Sequence, residues 1–174
     1  MKIHLKLEKG FLPDKYGKFA DASGKTDGTP VISFPIEISE VPEDAQTLAL
    51  YLIDFDAVPV SGFPWIHWTA ANIPVKSGTV NIPEDFSRIA ARIGADQTIQ
   101  GKNSQASRFV GETDPQLTMH YTGPTPPNAD HRYSLVVAAF DRLLNLQPGF
   151  WLNELYFELP TALEIAQLDF WSRA

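Results

Sequence analysis

The 174-residue sequence has no cysteine and no long apolar run, and each absence excludes a class of protein. Without cysteine there is no disulfide, no thiol nucleophile and no thiolate metal site. No run approaches the roughly 18–20 apolar residues of a transmembrane helix. Residues 1–7 alternate between apolar and polar side chains, which indicates a strand and not the apolar core of a signal peptide. We therefore expect a cytoplasmic protein with no membrane span.

Basic residues are also few, since 14 Lys and Arg stand against 21 Asp and Glu and give a net charge of −7. A negative surface repels nucleic acid and anionic lipid headgroups at long range, so we expect no nucleic-acid partner. If the protein binds an anion, the attraction must come from groups in a local pocket.

The abundant residues are those of a protein made of short strands joined by turns. Apolar residues form 44% of the chain, and most of its 14 prolines and 11 glycines fall between apolar runs. The length suits one hydrophobic core, so we expect a single domain over residues 1–174.

Three runs have the composition of strands buried on both faces: 47–53 (TLALYLI), 65–73 (WIHWTAANI) and 133–140 (YSLVVAAF). Pro35 interrupts a further apolar run, 31–38, which indicates an edge strand or a bulge. Residues 83–115 show no clear period and are expected to form a long irregular segment with one short helical turn.

The pattern becomes helical after residue 149. Apolar residues recur at helical spacing over 151–159, and Thr161 with Glu164 matches a capping box that predicts a last helix over 161–170. The fold class expected from all these segments is mainly β, an antiparallel β-sandwich with one or two short C-terminal helices.

Side chains that could act together stand in pairs at the ends of the apolar strands. The pairs are Asp54 with Asp56, Trp65 with His67, and His131 with Tyr133. Residues i and i+2 of a strand point to the same face, so each pair can aim both side chains at one place. Polar groups at such positions are costly unless partnered, and we therefore predict that the three pairs meet.

Such a meeting point would form a recess for an anion. A carboxylate beside an imidazole favours the imidazolium, so two histidines could make a cationic pocket on an acidic protein. Phosphate, sulfate or carboxylate would bind there through charge-assisted hydrogen bonds, with the Tyr133 hydroxyl as a further donor. Each residue taken alone also has a structural interpretation: Asp56 as a turn residue, His67 as a core histidine and His131 as the solvated start of a strand.

The order of these motifs resembles the phosphatidylethanolamine-binding protein family, and most closely its bacterial branch, the Raf kinase inhibitor-like proteins. Residues 48–57 and 65–74 are similar to the family's first signature, and residues 123–133 are similar to its second. Residues 100–103 (QGKN) look like an element of the bacterial branch. The family usually has proline between the two aspartates, where this chain has Phe55.

The resemblance implies a β-sandwich with a small pocket near one edge that holds phosphate or a phospholipid headgroup such as phosphoethanolamine. The ligand-binding residues that it implies are Asp54, Asp56, Trp65, His67, Pro127, His131 and Tyr133. It implies a non-catalytic protein without a cofactor, and members that inhibit kinases or proteases imply a regulatory protein partner that the sequence does not name.

Three alternatives remain open at this point. The Asp, His, His and Tyr set could instead hydrolyse small phosphoesters or lactones by acid–base catalysis. Asp and His also ligate zinc or iron, but no H-x3-H or H-E-x-x-H spacing is present, so no metal is expected. Trp151, Phe157, Phe170 and Trp171 could form an apolar face for a homodimer, or could pack in the core.

Overall fold

The structure is a computed structural model that describes residues 1–93 and 97–174. The strands in these residues are β1 (Lys2–His4), β2 (Lys25–Thr26), β3 (Thr29–Pro30), β4 (Ile36–Ser39), β5 (Thr47–Asp54), β6 (Trp65–Pro74), β7 (Val80–Ile82), β8 (Ile99–Gln100), β9 (His131–Phe140) and β10 (Glu164–Ser172). The α-helices are α1 (Val58–Ser61), α2 (Phe86–Ile93), α3 (Pro115–Thr118) and α4 (Leu152–Glu158). Short 3-10 turns occupy Asp14–Tyr16, Ala22–Gly24, Ser104–Ala106 and Leu159–Thr161.

Two antiparallel sheets pack against each other, which confirms the predicted β-sandwich. The larger sheet has the strand order β10-β9-β5-β6-β8, and the smaller has the order β1-β4-β7. The β2–β3 hairpin stands apart from both sheets. The three long apolar runs of the sequence form β5, β6 and β9, which are the inner strands of the larger sheet.

The larger sheet is buried on both faces, as its nearly continuous apolar sequence predicts. On one face, side chains such as Leu50 and Leu52 pack with Ile38 of the smaller sheet. On the other face, Ala49 packs with Leu155 of α4, whose position confirms the helix predicted near residues 151–159. Among the described residues, no helix is long and apolar enough to cross a bilayer.

The predicted last helix is wrong, because residues 164–172 form β10. This strand pairs with β9 along its whole length, from Glu164 opposite Ala139 to Ser172 opposite His131. Its side chains alternate between more and less buried positions, as in a strand with one covered face. Thr161 does not cap a helix, since its hydroxyl donates to the carbonyl of Glu158 at the end of the 3-10 turn.

Two further expectations need correction, and one alternative that the sequence left open is decided. Pro35 does not mark an edge strand: it directly precedes β4, which lies between β1 and β7, so the ladder loses no donor. Residues 83–115 are more regular than predicted, because they contain α2 and β8, although 94–96 lie outside the described residues. Phe170 lies in the core at 1% exposure and cannot join a dimer face, whereas Trp151, Phe157 and Trp171 are exposed.

Candidate functional site

Three strands of the larger sheet bring polar side chains together where β5 ends. Asp54, the last residue of β5, is paired with Trp65 of β6 on one side and with Tyr133 of β9 on the other. His131 lies two residues before Tyr133 in β9 and so shares its face. The convergence of the strand ends therefore follows from the register of the sheet.

His67 lies in the same pocket, two residues after Trp65, at a β-bulge of β6. Ile66 pairs with Ile53 and Trp68 pairs with Leu52, so His67 is an extra residue with no partner in β5. A bulge interrupts the alternation of side chains and redirects the residue at the interruption. The His67 ring packs edge-on against Tyr133, with 5.2 Å between the ring centroids.

These side chains line a pocket of about 190 Å³ with a polar base and apolar walls. Six of the seven predicted ligand-binding residues lie in its lining, and Asp56 does not. The lining residues are Asp54, Ala57, Val60, Ser61, Trp65, His67, Thr125, Pro126, Pro127, His131 and Tyr133.

Asp56 lies outside the pocket because β5 has already ended at Asp54, so the i, i+2 relation of a strand no longer holds. The chain turns at this point, and Asp54 Oδ1 accepts a hydrogen bond from the backbone N–H of Ala57. Asp56 Oδ2 instead accepts from the backbone N–H of Arg132 at 2.8 Å. Asp56 thus joins the loop after β5 to the start of β9.

Asp54 and His131 form a buried pair, each 3% exposed. Asp54 Oδ2 lies 2.7 Å from Nδ1 of His131, and Asn128 Oδ1 lies 2.9 Å from Nε2 of the same ring. An oxygen thus faces each ring nitrogen, so a hydrogen on either nitrogen has an acceptor within the protein. Asp54 is in this way the residue that orients His131.

His67 differs from the expectation of two imidazolium rings. Its Nδ1 lies 2.8 Å from the backbone carbonyl of Thr122, which can only accept, so Nδ1 carries the hydrogen. Burial lowers the pKa of His67 to about 4, against smaller opposing effects of the Thr122 bond and Asp54. The ring is therefore neutral at pH 7 and its Nε2 carries a lone pair.

Tyr133 supplies the third polar ring of the pocket base. Its hydroxyl is buried, and it is the one buried side-chain oxygen or nitrogen of the described residues that has no hydrogen-bond partner. Burial raises the pKa of Tyr133, and the nearby Asp54 carboxylate raises it further, so the hydroxyl keeps its proton. A buried hydroxyl without a partner costs about 1–3 kcal/mol, which a ligand oxygen can recover.

Several residues of this site could not be selected from sequence. Asn128 was not singled out because an Asn in a proline-rich loop is ordinarily a turn residue. Val60 and Ala57 line the pocket because α1 follows shortly after β5. The four residues of α1 have no polar pattern from which a helix could be predicted. The described residues contain no group of three His, Asp or Glu side chains placed to hold a metal ion.

The QGKN segment has a structural role near the site. The Gln100 side chain accepts from Trp68 Nε1 at 2.8 Å and from the Ser87 hydroxyl at 2.6 Å. Ser87 Oγ in turn accepts from the backbone N–H of Tyr121, the neighbour of the Thr122 carbonyl that holds His67. Asn103 is fully buried and donates to the carbonyls of Leu117 and His120. These contacts fix the segment on which the His67 ring depends.

Comparison with known sequences identifies relatives over most of the chain. Residues 6–170 match the family described as phosphatidylethanolamine-binding protein. The uncharacterized protein YxkA of Bacillus subtilis is 53% identical over 149 residues, which cover 86% of this chain and 85% of the relative. A UPF0098 protein of Methanothermobacter thermautotrophicus is 32% identical over 151 residues, covering 86% of this chain and 81% of the relative.

Solved structures show the same fold. YbcL of E. coli, described as a member of the mammalian PEBP family, superposes with a TM-score of 0.73 at 20% identity, covering 99% of this chain and 98% of YbcL. A PEBP homologue of Chlamydia trachomatis gives a TM-score of 0.64 at 23% identity, covering 94% of this chain and 88% of that one. At these identities the likeness concerns the fold alone. The sequence matches, together with the sandwich and the motifs at its strand ends, show that the chain belongs to the phosphatidylethanolamine-binding protein family.

Proposed function

We propose that this protein binds a phosphate-type anion, either free or as a phosphoethanolamine headgroup, in the pocket between Asp54, His67 and His131, without turning it over. The observation that carries the proposal is the buried Tyr133 hydroxyl, which has no hydrogen-bond partner among the described residues and lines the pocket. Buried polar groups are nearly always satisfied, so an unpaired donor at a pocket base favours a ligand oxygen there.

The other two rings supply complementary groups. The His131 ring can donate from a nitrogen, whereas the neutral His67 ring can accept at Nε2. Tyr133 neighbours both histidines, with 5.2 Å between its ring centroid and that of His67 and 6.5 Å between its centroid and that of His131. Two donors and one acceptor match an oxyanion that carries a proton on one of its oxygens, as a phosphate monoanion does.

The size and walls of the pocket fit a small ligand group. A volume of about 190 Å³ is below the range of roughly 300–1,000 Å³ of pockets for drug-sized molecules. Val60, Pro126 and Pro127 line it with apolar surface, which keeps bulk water from competing with the hydrogen bonds at the base. Binding through local hydrogen bonds is also what a chain with net charge −7 requires.

The environment of Ser61 supports the non-catalytic part of the proposal. This residue lies in the pocket lining, and its hydroxyl is the group there that most resembles a nucleophile. Its Oγ lies 2.8 Å from the carbonyl oxygen of Phe63 and 3.1 Å from that of Ala57, and no histidine of the described residues is bonded to it. A serine nucleophile needs an adjacent base that takes its proton. The alternative, hydrolysis through water activated by His67, would appear as turnover of a model phosphoester.

The test is calorimetric titration of phosphate and of phosphoethanolamine into wild type and Tyr133→Phe. We expect the substitution to weaken binding by about tenfold, since it removes a hydrogen bond to a charged oxygen worth about 1.5 kcal/mol or more. Tyr156→Phe is the matched control, because Tyr156 is 60% exposed on α4 away from the pocket lining. Unchanged affinity in Tyr133→Phe, or no binding in wild type, would contradict the proposal.

A further inference from the structure

His131 is a buried pocket residue whose two ring nitrogens both already have a partner within the protein. Asp54 Oδ2 is 2.7 Å from Nδ1, and Asn128 Oδ1 is 2.9 Å from Nε2. Asp54 and His131 are 3% exposed, whereas Asn128 is exposed. The three side chains form a hydrogen-bonded chain that begins at a buried carboxylate and ends at a solvent-exposed amide.

Asn128 thereby engages the donor that an anion would need. The Nδ1–H of His131 is committed to the Asp54 carboxylate, so Nε2–H is the donor left for a ligand. Tyr133 has no such internal partner, although it lies on the same face of β9. A ligand oxygen can take the full hydrogen bond of Nε2–H only if the Asn128 oxygen leaves it.

We infer that Asn128 is an internal competitor for the ligand, whose Oδ1 holds the Nε2–H of His131 and gives way to an oxygen of the anion. The inference rests on the proposed function. A charged acceptor makes a stronger hydrogen bond than a neutral amide, which favours the exchange. The released amide stays hydrated because Asn128 is exposed, so its displacement costs little. Residue 128 therefore sets the affinity of the pocket.

The loop around Asn128 allows this exchange by side-chain rotation alone. On one side of it, the carbonyl of Pro126 accepts a hydrogen bond from Lys18 Nζ at 3.0 Å. On the other side, Asp130 accepts from the backbone N–H of Ala174 at 2.9 Å. Prolines at 126 and 127 further restrict the backbone. The Pro126 carbonyl and the Asp130 side chain are both held by residues outside the loop, while the Asn128 side chain is held by His131.

The test is phosphate titration of wild type, Asn128→Ala and Asn128→Asp by calorimetry. We expect Asn128→Ala to bind phosphate about threefold to tenfold more tightly, because the ligand no longer displaces a net hydrogen bond. Asn128→Asp should bind at least about tenfold more weakly, because a carboxylate is a stronger acceptor for His131 and repels the anion. Asn153→Ala, an exposed asparagine on α4, is the matched control and should bind as wild type does.

Whether Asn128→Ala raises or lowers the affinity for phosphate decides whether Asn128 competes with the ligand. Equal or weaker phosphate binding in that variant overturns the inference, since it would mean that Asn128 is inert or itself supports the ligand. If wild type binds phosphate in that case, the proposed function stands and only the inference falls. If neither wild type nor Asn128→Ala binds phosphate, both fall. Thermal melts of each variant check that the substitutions leave the fold intact.

Discussion

The neutral His67 ring predicts a specific loss of stability in mild acid. Burial lowers its pKa from 6.5 to about 4, so the folded ring resists a proton that the unfolded chain accepts near pH 6.5. Between these values the unfolded state binds more protons, and the free energy of unfolding falls as the pH falls. Above pH 6.5 both states are neutral and the stability is fully present.

The magnitude follows from the width of this window. Each pH unit between the two pKa values corresponds to about 1.36 kcal/mol, so the whole window corresponds to about 3 kcal/mol. Most of this loss occurs before the titration of other groups dominates. The free energy of unfolding falls by roughly 2 kcal/mol between pH 7 and pH 5. That is a large fraction of the roughly 5–15 kcal/mol that stabilises a typical domain.

The assay is urea denaturation at pH 7 and pH 5 in a buffer without phosphate, for wild type and His67→Asn. Asparagine can place an N–H where Nδ1 stands and keep the bond to the Thr122 carbonyl, but it does not titrate. We expect the free energy of unfolding to fall by about 2 kcal/mol less in His67→Asn than in wild type. The comparison cancels the carboxylates that both proteins share.

The control for this experiment is His120→Asn. His120 Nδ1 also faces a backbone carbonyl, that of Pro115 at 3.0 Å, but its ring is not buried. A comparison of His67→Asn with His120→Asn therefore distinguishes the effect of losing a buried imidazole from the effect of losing any histidine. The same fall in stability from pH 7 to pH 5 in wild type and His67→Asn would refute the reasoning.

Two further predictions concern ligand affinity and packing. Calorimetry should show that phosphoethanolamine binds more tightly at pH 5.5 than at pH 8. Its second pKa is about 6, and the lone pair of His67 favours the protonated oxygen. Equal affinity at both pH values would count against the neutral ring as an acceptor. Gly101→Ala should lower the free energy of unfolding in urea by about 1–3 kcal/mol, because its Cβ would lie 2.5 Å from Thr69 Oγ1 and 2.6 Å from the Phe150 carbonyl. Gly78→Ala, where no atom lies within 4 Å, is the control, and an equal effect of both would show that crowding is not the cause.

The inner strands of the fold were predictable and its last strand was not. β5, β6 and β9 are long runs of apolar residues whose type is clear without knowledge of their neighbours. β10 carries Ala166 and Phe170, which satisfy a helical spacing of four and a strand period of two at once. These residues form a strand because the edge of β9 provides backbone hydrogen-bond partners for all nine of them. A sequence pattern does not show that edge.

The candidate site was partly predictable for the same reason. The i, i+2 relation correctly placed His131 with Tyr133, because both lie inside β9. It also placed His67 with Trp65, since both line the pocket, although it gave no sign that His67 is the extra residue of a bulge. It failed for Asp56, which lies beyond the end of β5. The protonation of His67 could not be predicted, because it depends on burial in the folded protein.

The extra residue in β6 bears on how such a pocket can be gained or lost over time. Because the pairs on either side of it, Ile66 with Ile53 and Trp68 with Leu52, are both intact, removing His67 alone would leave the sheet in register. A deletion of one codon would thus erase an imidazole, and with it the hydrogen bond from the Thr122 N–H to the His67 carbonyl, while sparing the β5 pairs on either side, and an insertion would restore it. Among descendants of such a chain, a difference of one residue in the length of this strand would separate those that keep the ring from those that lack it.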